Sequence, residues 1–194
     1  VTGTTGDDGY GGGMYNWYCS PDMTNLTFVH NQATEYGGGM ANFGAASAPS
    51  LWNSVVWGNS SQGTVEERQV FDELGASHTD ETSTIQDAAL PAPFVDADGA
   101  DGVPGTADDD LHPGYPAYGM IDGGVKTELP GDTYDLDGDG NTLERLPIDL
   151  DGHARFYADL DLDGQADGTV DSVDRGAYEG GCFAWHMPTG DDYL

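Results

Sequence analysis

Basic residues are nearly missing from this chain of 194 residues: five Lys and Arg stand against 35 Asp and Glu, a formal net charge of −30. A nucleic-acid binder needs a basic footprint, and a chain of this charge repels phosphate. No apolar run approaches the roughly 20 residues needed to span a bilayer, and a polyanionic surface suits anionic lipid poorly. Neither nucleic-acid binding nor membrane insertion is therefore expected. Long helices are disfavoured as well, because 30 glycines and 10 prolines interrupt the sequence. The start, Val1-Thr2-Gly3, lacks the charged and apolar segments of a secretion signal, so a mature or processed product is expected.

Cysteine is almost as scarce. Cys19 and Cys182 allow one bridge, and the acidic, Lys-poor composition suits an extracellular setting. Within one chain that bridge would close nearly the whole sequence and contribute up to about 5 kcal/mol. The alternatives are two unpaired thiols or a bond to a neighbouring subunit. High charge with modest hydrophobicity is also the mark of disorder. Here 4 Trp, 10 Tyr and 6 Phe argue for a folded chain, and the acids fall in patterned runs that a divalent cation would neutralise.

The first sixty residues contain a repeat. Tyr10-Gly11-Gly12-Gly13-Met14-Tyr15-Asn16 returns as Tyr36-Gly37-Gly38-Gly39-Met40-Ala41-Asn42, an offset of 26. Ser20-Pro21-Asp22-Met23-Thr24-Asn25 returns as Ala48-Pro49-Ser50-Leu51-Trp52-Asn53, and Asn31 as Asn59, both at 28. Leu26-Thr27-Phe28-Val29-His30 alternates with period two, which predicts a short strand whose inward face carries Leu26 and Phe28. Met14, Met40, Trp17, Trp52 and Trp57 are expected to fill the interior of the coils. Asparagines at matching positions (16/42, 25/53, 31/59) are placed to stack as amide ladders. A period in the mid-twenties, with strands and no helical segment, predicts a parallel β-solenoid. About three repeats are needed for stability. Two copies are clear, and the third is expected from Val1–Tyr10 or from Thr64–Leu74. Asn25 and Asn59 head N-glycosylation acceptor patterns, a role that competes with the ladder. The segments Val1–Thr5 and Ser77–Thr84 are candidates for O-linked sugar.

From Pro91 the texture changes to alternating Asp and Gly. One run holds Asp96, Asp98 and Asp101, then Asp108, Asp109 and Asp110. A second holds Asp135, Asp137, Asp139 and Asn141, then Glu144. A third holds Asp159, Asp161 and Asp163, then Asp167. Calcium takes six to eight oxygen ligands, and alternate carboxylates before a turn-forming glycine converge on one point. The second and third runs fit D-x-D-x-D-G but lack a Glu at the twelfth position, where Leu146 and Val170 stand. These loops are similar to those of dockerins and thrombospondin type 3 repeats rather than to a sensor EF-hand. Calcium is the expected cofactor.

Gly-Gly-Gly-Met-Tyr-Asn followed by Ser-Pro and Asn-x-Thr-Phe resembles the coils of secreted bacterial right-handed parallel β-helix proteins, with choice-of-anchor and polymorphic outer-membrane-type repeats. Phe94 to Leu111 resembles the segment that closes such helices, and Val173-Asp174-Arg175-Gly176-Ala177-Tyr178-Glu179 resembles their terminal signature. The resemblance implies an all-β protein: a short right-handed parallel β-solenoid over residues 1–90, with repeats at about 10–35 and 36–63. An irregular, calcium-stabilised, loop-rich region over 91–194 follows. It also implies a secreted or cell-surface structural protein.

Three functions compete. A structural subunit would stack end to end with copies of itself, with residues 1–9 or 180–194 as donor segments. A binding module would present Tyr15, Trp17 and Tyr18 to glycans. A polysaccharide-degrading enzyme would need basic groups, and only Arg68, Lys126, Arg145, Arg155 and Arg175 exist. The histidines at 30, 78, 112, 153 and 186 show no metal spacing, and Gly-x-Ser-x-Gly is absent. The expectation is a non-enzymatic, calcium-stabilised homopolymer subunit.

Overall fold

A computed structural model describes residues 9–86, 93–114, 119–121, 123–155 and 172–179. Among these the chain is mostly strand and turn, with one short helix and one 3-10 turn. Three strands, β1 (Met14–Trp17), β2 (Asp22–Thr24) and β3 (Thr27–Val29), form a first unit. The second unit is β4 (Met40–Phe43), β5 (Ser50–Trp52) and β6 (Val55–Trp57). A helix, α1 (Val65–Gln69), leads into the third: β7 (Val70–Asp72), β8 (Thr79–Glu81) and β9 (Thr84–Gln86). Strands in equivalent positions pair in parallel, giving three sheets ordered β1-β4-β7, β2-β5-β8 and β3-β6-β9.

The register follows the sequence repeat. Met14 pairs with Met40, Asp22 with Ser50 and Thr27 with Val55. The third unit joins with Met40 opposite Val70 and Thr79 opposite Ser50. Of the two segments expected to supply it, Thr64–Leu74 contributes α1 and β7, while β8 and β9 come from residues 79–86; Val1–Tyr10 lies mostly outside the described residues. Identity with the first copies is lost there because α1 intervenes, closed by a capping box in which Thr64 and Glu67 satisfy each other's backbone N–H groups.

The three amide ladders form. Asn16 Nδ2 donates to Asn42 Oδ1 at 2.8 Å, Asn31 Nδ2 to Asn59 Oδ1 at 3.0 Å, and Asn53 Nδ2 to Asn25 Oδ1 at 3.4 Å. Each continues into the third unit through a different residue: Asp72, Gln69 and Thr82. Asn25, Asn53 and Thr82 also share a left-handed backbone (φ 53°, 47° and 51°), so one corner recurs in all three units. Asparagine tolerates that region better than most residues, which is why it recurs at this corner.

The interior of the repeats holds Met23, Phe28, Met40, Leu51, Val56 and Val70, with Met14, Leu26 and Ile85 at its margin. Two expectations need correction. The period-two pattern at 26–30 predicts one buried face, yet Thr27, Phe28 and Val29 are all buried. The outer face of β3-β6 is covered by a second cluster, in which Val29, Val55 and Trp57 meet Phe94, Ala97 and Met120. Trp57 thus packs outside the repeats, and Trp17 is not interior at all, being 58% exposed.

The covering region begins with an antiparallel pair, β10 (Phe94–Asp96) and β11 (Asp110–Pro113), and includes a second pair, β12 (Gly124–Val125) with β13 (Ser172–Val173).

Candidate metal centre

The 172–179 segment fixes the acidic region to the repeats. Gly176 N donates to Asn53 O at 2.7 Å, Ala177 N to Thr27 Oγ1 at 3.0 Å, and Arg175 Nη1 to Thr84 Oγ1 at 2.9 Å. Asn25 Nδ2 reaches the carbonyls of Asp174 and Gly176, while Asn53 exchanges hydrogen bonds with the backbone of Val125. Asn25 and Asn53 of this corner therefore also dock the described segments around Val125 and 174–176. Contacts to all three units place the acidic region along the side of the stack.

Inside this clasp lies an ion pair. Arg155 Nη1 donates to Glu179 Oε1 at 2.6 Å, and Glu179 Oε2 accepts from Asp174 N at 2.8 Å. Burial pushes the Glu179 carboxyl up to about 7 from 4.5, against the pull of Arg155. The folded chain therefore holds a proton between those values that the unfolded chain has released. The stability this contributes is complete below about 4.5 and is lost as pH rises through about 7. At about 1.4 kcal/mol per pH unit, the loss is at most about 3 kcal/mol. Urea unfolding at pH 5 and pH 8, in chelator, is expected to show this slope in the native chain and not in Glu179→Gln. Equal slopes would place the linkage elsewhere.

The second acidic run brings its carboxylates together. Ligand atoms of Asp132, Asp135 and Asp137 form one group, and those of Asp137, Asp139 and Glu144 another, each within 4.8 Å. Asp137 belongs to both. Asp132 is the member that sequence reading missed. It lies outside the D-x-D-x-D-G pattern, but it is 1% exposed and accepts Leu136 N at both carboxylate oxygens. Asp132 N in turn donates to Glu144 O at 2.9 Å, which draws the two ends of the loop together. Asp135 takes a left-handed backbone (φ 51°), and its Oδ1 accepts Gly140 N at 2.9 Å. Glu144 Oε1 is shut off from solvent without a hydrogen-bond donor. Burial and the charges of Asp139, Asp137 and Asp132 push its carboxyl above the usual range. Asn141 lies beside this group but spends Oδ1 on Leu143 N.

The first run is arranged differently. Asp96 and Asp110 are opposite one another across β10 and β11. Asp101 Oδ1 accepts Val103 N, Asp108 Oδ2 accepts Asp101 N, and Thr106 Oγ1 donates to Asp108 Oδ1 at 2.5 Å. Asp98 and Asp109 set a negative field near His30, whose burial nevertheless holds its pKa below the ordinary value. Among the described residues these aspartates form no three-carboxylate group like the two in the second run. The third run, Asp159, Asp161, Asp163 and Asp167, lies outside the described residues, as do Cys182 and residues 180–194. Cys19 is exposed, with Sγ 3.6 Å from Asn16 Oδ1. Asn25 and Asn59 are buried, and a glycan at Asn59 Nδ2 would displace its bonds to Phe28 O and Gln69 Oε1, while one at Asn25 Nδ2 would displace its bonds to the carbonyls of Asp174 and Gly176.

A separate feature lies on the outer face of β1-β4-β7. Trp17 stacks with Tyr15 and with Phe43 at centroid distances of 6.3 Å, and Tyr18 meets Trp17 edge-on. Tyr36 stacks on Phe71 at 4.5 Å. Parallel in-register pairing puts equivalent positions one above another, so aromatic residues there form a shelf. No protein-family model, curated protein or solved structure matches this chain.

Proposed function

We propose that this is a non-enzymatic, secreted or cell-surface structural protein, a short right-handed parallel β-solenoid of the choice-of-anchor kind. In this reading calcium at Asp132, Asp135, Asp137, Asp139 and Glu144 stabilises the side region, and the solenoid stacks head to tail with copies of itself. One observation carries the reading. β1, β2 and β3 at one end, and β7, β8 and β9 at the other, have no further strand beyond them among the described residues. The described part of the covering region contacts the side of the units, and in this reading the ends accept parallel strand addition. A contact between unlike ends that does not close produces a filament. At the β7–β9 end, β8 is fully exposed and carries Asp80 and Glu81. Such charges oppose edge pairing, so stacking through that end depends on a cation.

Residues 1–9 and 180–194 are the donor segments in this scheme. Sedimentation of the full chain in millimolar calcium is expected to show large species, and deletion of either segment to abolish them. Polymerisation unchanged by both deletions would remove the donor role.

A glycan-binding module is the second reading, favoured by the exposed shelf of Tyr15, Trp17 and Tyr18. Trp17→Ala separates the two: it removes glycan binding under this reading and leaves calcium-dependent sedimentation intact under the first.

A further inference from the structure

Two histidines 41 residues apart in the chain meet at a place that the acidic loops do not include. His112 sits on β11, and His153 ends the turn that starts at Asp149. Asp149 shapes that turn from within: its Oδ1 accepts the N–H groups of Asp151 at 2.9 Å and His153 at 2.8 Å, and its Oδ2 accepts Glu179 N. The turn thereby holds Asp151 and His153 over β11. Ligand atoms of His112, Asp151 and His153 all lie within 4.8 Å of one another.

The orientation of His112 gives this cluster its chemistry. Its Nδ1 is 2.7 Å from Asp110 Oδ1, and the Tyr178 ring packs against the imidazole at 4.8 Å. A carboxylate in that position takes the Nδ1 proton as its hydrogen bond and leaves the Nε2 lone pair to point away. Nε2 faces Asp151 Oδ2 at 3.4 Å. That is long for a charge-assisted hydrogen bond, which spans about 2.7–2.9 Å. It suits two ligands of one metal, since bonds of about 2.0–2.2 Å at tetrahedral angles space their donor atoms about 3.4 Å apart.

We propose that His112 Nε2, Asp151 and His153 bind a divalent cation of the zinc class. Three protein ligands leave a fourth position for water or for a group from another molecule. Two imidazole nitrogens select zinc, cobalt, nickel or copper over calcium, which takes oxygen ligands. Asp110 acts behind His112 as a positioning residue. The bound ion joins β11 to the 149–153 turn and, through Asp149 and Tyr178, to the 172–179 clasp. None of the three ligands belongs to the acidic runs expected to hold calcium, and of those runs only Asp110 takes part, through its hydrogen bond to His112 Nδ1; the site stands apart from the filament reading.

The test uses the full chain without an affinity tag, saturated with calcium so that the oxygen sites are filled. Titration with cobalt(II) is expected to give the intense visible absorption of a tetrahedral site at one equivalent, abolished by zinc and untouched by further calcium. His153→Ala changes an exposed side chain and is expected to weaken zinc binding at least about 100-fold, as three ligands become two. Asp110→Asn is expected to cost about 10–100-fold, while Asp137→Asn leaves the spectrum as it was. A cobalt spectrum that never becomes tetrahedral overturns the proposal. So does zinc affinity unchanged in both His153→Ala and His112→Gln, since the metal would then sit on the acidic loops.

Discussion

Gly39→Ala is expected to cost about 4 kcal/mol or more, a large share of the roughly 5–15 kcal/mol that holds a domain folded. A Cβ on Gly39 would stand 2.5 Å from Gln69 O, 2.9 Å from Val56 Cγ1 and 3.0 Å from Asn59 Nδ2. The first of these is backbone in the next unit, and it cannot retreat without breaking the ladder that Asn59 and Gln69 build. Gly13 meets the equivalent wall one unit earlier, with Gly39 O at 2.6 Å and the Phe28 ring at 2.8 Å. The two glycines are thus selected by the approach of one repeat to the next. Gly131→Ala is the control, because among the described residues its Cβ would meet only Glu144 O, at an ordinary 3.8 Å. Circular dichroism melts should separate the two widely. A Gly39→Ala protein that melts with the native chain would mean that the repeats do not approach as described.

Calcium removal is expected to lower the unfolding midpoint by about 5–10 °C. An ion at 100 times its dissociation constant stabilises by about 2.7 kcal/mol per site, and each kcal/mol is worth roughly 2–4 °C in a chain of this size. Asp137→Asn gives the sharper test, since Asp137 belongs to both carboxylate groups. In chelator the substitution relieves repulsion, including some of what raises the Glu144 carboxyl, and the midpoint should rise above that of the native chain. In calcium the order should reverse, because the variant has lost a shared ligand. Scanning calorimetry with and without calcium reads both signs. A native midpoint indifferent to calcium would remove the cation from the stability of the fold.

The repeat itself was legible because its signal is periodic: glycines, methionines and asparagines recur at the offsets that strand pairing later uses. Asn16, Asn31 and Asn53 fall into ladders from the sequence alone, since an amide offers both a donor and an acceptor to the same position above and below. The third unit was harder. Once Gln69, Asp72 and Thr82 replace asparagine, the ladder persists while the letters change. The burial of Val29 was hidden for another reason. Period two distinguishes inside from outside only where the outside is water, and here Phe94 and Met120 occupy it. In the acidic half, Asp135, Asp137, Asp139 and Glu144 follow from the loop pattern. Asp132 needed the fold, because only its burial and its bonds to Leu136 N distinguish it from a solvated acid. The pairing of His112 with His153 is set by a turn that Asp149 builds, and no local spacing encodes it. The Asp149-Leu150-Asp151-Gly152 stretch is nevertheless a visible signal, a shorter copy of the acidic sequence runs on either side.

Negative-stain electron microscopy of the full chain, in millimolar calcium and then in excess chelator, tests head-to-tail stacking most directly. Filaments that form in calcium and disperse in chelator are the expected result. Compact single particles under both conditions would contradict it, leaving three side-covered, parallel-paired strand units and making the aromatic shelf the surface to pursue.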